Sequence, residues 1–102
     1  MDMRKMLKQA QQAQAQMTQM QDELANETVD ASSGGGMVKV TMTGAQELVS
    51  IKIDPEAVDP DDIELLEDMI LAAVNEASRA SGELANAKMQ SITGGLNLPG
   101  LM

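Results

Sequence analysis

The chain has 102 residues, room for one domain, and it contains no cysteine, no histidine and no aromatic residue. Those absences exclude a disulfide framework and thiol chemistry, and remove the usual general base and commonest metal ligand. The net charge of −9 is uneven: residues 1–21 hold three bases against one acid, and residues 22–102 hold four against fifteen.

The first stretch, from about Met3 to Asn26, predicts a helix. Met3, Met6, Ala10, Ala13, Met17, Met20 and Leu24 repeat at alternating steps of three and four, the seam of a helix laid along a partner. Gln and Ala favour the helix without filling a core. Arg4, Lys5 and Lys8 fall on the face opposite the seam, where bases are either a solvated surface or an anion-binding one.

Three short strands follow. Glu27–Ser32 puts Val29 and Ala31 on one face, and Ser32 to Gly36 reads as a flexible turn. Met37–Thr43 alternates Val38, Val40 and Met42 against Lys39 and Thr41. Glu47–Ile53 points Val49, Ile51 and Ile53 inward and Ser50 and Lys52 outward. Connections this short predict an antiparallel meander.

The stretch from Asp59 to about Gln90 predicts a second, long helix. Its seam is Ile63, Leu66, Ile70, Ala73, Ala77, Ala80, Leu84 and Ala87. Leu65, Met69 and Ala72 widen the first half, which suits it to cover the sheet. Asp59 is placed as N-cap with Pro60 at the first helical position, and Gly94-Gly95 as the stop. Residues 1–93 then form a single α+β domain, and 94–102 a flexible Gly/Leu tail that is mobile or docks on a partner.

Function classes narrow quickly. Neither a Ser–His nor a Cys–His pair is available, so an enzyme is not expected, and no cofactor or metal either. The acidic run from Asp54 to Asp68 lacks the glycine a calcium loop requires. Gly34–Gly36 lies between strands, so it is not a phosphate loop. No apolar run is long enough to span a membrane. A core without aromatics is thin, and self-association is its natural remedy. The remaining bases of interest are Arg79 and Lys88 in the distal half of the long helix. If the helices pack antiparallel beyond the sheet, these meet Arg4, Lys5 and Lys8. Glu76 and Glu83 stand three and four residues from Arg79 and offer it ion pairs instead.

Several segments carry a resemblance. They are Gly36-Met37-Val38-Lys39-Val40-Thr41-Met42-Thr43-Gly44, Val49-Ser50-Ile51-Lys52-Ile53-Asp54-Pro55, and Leu66 through Ala77. With the opening Met6–Gln12 and closing Gly94–Gly100, in that order, the chain resembles the YbaB/EbfC family of bacterial nucleoid-associated proteins. The resemblance implies a helix–three-stranded antiparallel sheet–long helix fold in a homodimer whose helices protrude like tweezer arms. It implies binding of double-stranded DNA with little sequence specificity, a role in nucleoid organisation and gene regulation, and a cytoplasmic, nucleoid location. DNA contacts would fall on Arg4, Lys5, Lys8, Arg79 and Lys88, and recombination-repair or clamp-loader proteins are conceivable partners. The alternative is an acidic protein-interaction module for a replication or repair protein, using the Met-rich seam.

Overall fold

The computed structural model describes residues 2–96. Helix α1 runs Met3–Asn26 and strand β1 Thr28–Ser33. Strand β2 spans Val38–Thr43, strand β3 Leu48–Ile53, and helix α2 Ile63–Leu96. The strands form one antiparallel sheet in the order β1-β2-β3. This is the expected α+β architecture, with strand limits close to those read from the alternation.

The core follows from two periodicities meeting. Val38, Val40 and Met42 point to one face of β2, and Ala73 and Ala77 face them from α2; all five are buried. Alanines at the contact bring the helix close to the sheet. Leu66, Met69, Ile70 and Val74 widen the contact. Of the second stripe expected on α2, Met69 joins the core, while Leu65 and Ala72 lie exposed. Two serine hydroxyls help fix the helix. Ser81 Oγ, fully buried, donates to Thr43 O at 2.8 Å, and Ser33 Oγ donates to Met69 O at 2.5 Å.

Helix α2 lies across β1 and β2 and leaves β3 uncovered. The reason is width: a helix is about 10 Å across and neighbouring strands about 4.8 Å apart, so one helix covers two strands. Ile51 and Ile53 stand opposite Val40 and Val38, on the core side of the sheet as expected, yet they are exposed together with Leu48 and Val49. Val49 is the extra residue of a bulge, since Thr41 pairs with Ser50 and Met42 with Leu48.

The turns differ from expectation in detail. Gly34, Gly35 and Gly36 have φ of 60°, 67° and 92°, so the β1–β2 connection is a defined left-handed turn. The start of α2 is displaced: Asp59 Oδ1 accepts from Asp61 N, closing a turn, and Asp62 Oδ1 caps the helix through Leu65 N. The Asp-Pro signal was spent on that turn. Gly94 and Gly95 do not stop α2, which continues through Leu96; each glycine weakens a helix by about 1 kcal/mol relative to alanine without forbidding it. The rest of the expected tail, 97–102, lies outside the described residues.

Candidate nucleic-acid interface

Helix α1 is anchored only at its C-terminal end. Met20 and Leu24 are buried, while Met3, Met6, Leu7 and Met17 are exposed, Met3 at 82%. At 1.5 Å per residue, the stretch from Met20 back to Arg4 projects about 24 Å from the body. The chain is correspondingly long, 70 × 25 × 16 Å, with a radius of gyration of 19.8 Å.

The projecting tip is electropositive for two reasons. Arg4, Lys5 and Lys8 are exposed and make no ion pair among the described residues. They also sit at the helix N-terminus, where the backbone dipole is positive and the free N–H groups point outward. Asp2 supplies the cap, accepting from Arg4 N at 3.0 Å, and the first turn contains no acid. Bases at this end oppose the dipole, so helix stability alone does not explain them.

Residues 9–21 carry no charge at all. That neutral stretch spans about 20 Å, roughly two Debye lengths at 0.1 M salt. The tip is thereby screened from the acidic body, and the overall charge of −9 does not set its local field.

Arg79 and Lys88 lie elsewhere. Arg79 is bound by Glu76 through two bonds, and by Glu83 at 2.5 Å, all on one exposed face of α2. Its hydrogen bonds to Glu76 push the guanidinium upward from its ordinary value, and the same contact holds the Glu76 carboxyl below its own. Lys88 Nζ reaches Glu23 at 3.1 Å and Glu27 at 3.2 Å; these two bonds, Glu23 first, raise its pKa. Its side chain is only 22% exposed. So Lys88 meets the base of α1, not its tip, and the five bases do not converge. The two helices touch near Leu24 and Leu84, so the tip of α1 stands clear of α2.

Two bases passed over as site residues stand together. Lys39 and Lys52 are register partners on the outer face of the sheet. Alternation alone placed both outward; their pairing depends on the strand register.

Fold and charge layout together define a small α+β binding module with an electropositive helix tip held away from an acidic body. No group of His, Cys, Asp or Glu among the described residues is arranged to hold a metal, and no described helix is long and apolar enough to cross a membrane. Residues 1–96 match the model of the YbaB/EbfC DNA-binding family, and the chain belongs to that family. A nucleoid-associated protein of Moorella thermoacetica is 59% identical over 99 residues, covering 97% of this chain and 95% of its own. One from Thermoanaerobacter pseudethanolicus is 56% identical over 96 residues, covering 94% and 86%. The crystal structure of an uncharacterised Helicobacter pylori protein superposes with a TM-score of 0.77 at 26% identity, covering 91% of this chain and 96% of that one. The family is one of DNA-binding proteins, and the chain is not an enzyme.

Proposed function

We propose that the protein is a nucleoid-associated, cytoplasmic protein that binds double-stranded DNA as a homodimer with little sequence specificity, and so affects nucleoid organisation and gene expression. The observation that carries this reading is the tip of α1: three bases with no ion pair among the described residues, on a helix N-terminus and screened from the acidic body. Arg4, Lys5 and Lys8 contact phosphates, and the Gln side chains along α1 support them. Phosphate contacts position a protein without reading bases, and no aromatic side chain is present to stack on them. Arg79 and Lys88 enter only by exchanging their glutamates for phosphates, and so contribute second.

The uncovered face of β3 supports the dimer. Leu48, Val49, Ile51 and Ile53 make an exposed apolar strip. Gln46 Nε2 bonds Ser78 O at 3.3 Å, which sets the β2–β3 hairpin beside that side of α2. Leu71, two turns before Ser78, extends the strip on the same side and is also exposed. Pairing of two such strips covers what one α2 leaves open and joins two tips in one particle.

The test is fluorescence anisotropy of an arbitrary-sequence duplex at about 50 and about 150 mM salt, where phosphate contacts give steep salt dependence. Arg4→Glu with Lys8→Glu abolishes binding while the chain stays folded, because acids at a helix N-terminus favour the helix. Retained affinity in that variant would remove α1 from the site.

A further inference from the structure

The outer face of the sheet holds an arrangement that neither the fold nor the α1 tip accounts for. Residues 22–96 contain four bases, Lys39, Lys52, Arg79 and Lys88. Two are neutralised by glutamates. The other two, Lys39 and Lys52, are directly opposed across β2 and β3. Opposed residues have Cβ atoms only about 5 Å apart, and like charges there destabilise the sheet. No carboxylate pairs with either lysine among the described residues.

Around them lies a depression of about 380 Å³ bordered by Asp30, Ser32, Thr41 and Ser50. The one acid there, Asp30, keeps its charge: its Oδ1 accepts the neutral Thr41 hydroxyl at 2.8 Å within the same depression, and the two lysines leave the cluster net positive. Ser32 and Ser50 bring hydroxyl donors to the rim. Two ammonium groups with hydroxyls beside them match the oxygens of a phosphate group, which accepts from several donors and offsets their mutual repulsion.

We infer that Lys39 and Lys52, with the Ser32 and Ser50 hydroxyls, form a phosphate-binding site on the outer face of the sheet, separate from α1. The phosphate comes from a duplex backbone or from a free phosphorylated molecule. The duplex source rests on the function proposed above; the site itself does not.

The full chain, labelled with ¹⁵N, is titrated with inorganic phosphate against chloride at matched ionic strength. Saturable shifts confined to the amides around Lys39, Thr41, Ser50 and Lys52, lost in the K39Q/K52Q variant, are the expected result. Absence of localised shifts, or shifts that persist in K39Q/K52Q, would overturn the site. Both lysines are exposed, so the variant folds, and relief of repulsion raises its melting temperature in phosphate-free buffer. Duplex anisotropy then separates the sources. Roughly tenfold weaker binding by K39Q/K52Q, with a salt slope shallower by about 0.9 per lost contact, identifies the DNA backbone. Unchanged duplex affinity in K39Q/K52Q, with the phosphate shifts seen in the wild type and lost in the variant, identifies a free phosphorylated ligand. Failure of the α1 reading shows instead as unchanged binding in R4E/K8E, which leaves the phosphate titration decisive.

Discussion

Gly44 sits where α1, the end of β2 and α2 meet. Its N–H donates to Glu27 O at 2.9 Å. A Cβ there would stand 2.8 Å from Leu24 Cδ2, 2.9 Å from Leu24 O and 3.1 Å from Leu84 Cδ2. The Leu24 side chain has room to turn, but the carbonyl is held in the last turn of α1 and does not yield. Gly44→Ala therefore costs roughly 1–3 kcal/mol, as overpacking does. Urea unfolding should show it as a lower midpoint at unchanged slope. Ser81 is the second residue of this kind. Its buried hydroxyl ties α2 to the last carbonyl of β2, and Ser81→Ala should cost about 1 kcal/mol in the same assay. Neither residue touches the tip of α1, so neither change should alter duplex affinity in the folded protein.

At the scale of elements, α1 is a lever held at one end. Besides Met20 and Leu24, what holds it is Lys88, which reaches across from α2 to Glu23 and Glu27. The sign of its pH dependence follows from the direction of the shift. The folded state binds the Lys88 proton more tightly than the unfolded chain, so the contribution is fully present below the ordinary lysine value. It is lost as pH rises through the raised, folded value. Lys88→Met, which keeps the stem, should lower the melting temperature at neutral pH. The gap from wild type should close in strongly alkaline buffer. A gap that persists there would assign the effect to packing of the stem. Helix α1 also shows why charge is better counted by element than by chain: its tip is basic, its middle neutral and its last turn acidic.

For the whole molecule, surface area makes the case for a partner. The chain exposes 7661 Å², against about 5,500 Å² for a compact monomer of its mass. The excess is of the order that a stable dimer buries on each partner, including large obligate ones. Part of it belongs to the projecting helix and part to the apolar strip of β3. Ile51→Asp places a charge in the centre of that strip without disturbing the core under α2. It should convert the proposed dimer to a monomer in light scattering. Duplex affinity should fall with it, because two linked tips bind more tightly than one. A dimer that survives Ile51→Asp would move the interface off β3.

The sequence by itself determined the elements and their order, because each rests on local periodicity. Alternation in Val38–Met42 and the three-four step in Leu66–Ala77 survive any arrangement of the rest of the chain. It also set the charge layout of α1, which depends on nothing but the run from Asp2 to Asn26. Local punctuation was less decisive. Asp59-Pro60 serves a turn as readily as a helix start, and Gly94-Gly95 only weakens a helix that α2 continues through. Three further features were settled by the tertiary structure alone. Lys88 finds Glu23 and Glu27 across more than 60 residues, a pairing no spacing rule encodes. Lys39 opposes Lys52 because the Thr43–Glu47 turn and the Val49 bulge together set the register. The apolar face of β3 is exposed because one helix is two strands wide, a limit of geometry that hydrophobicity along the chain does not contain.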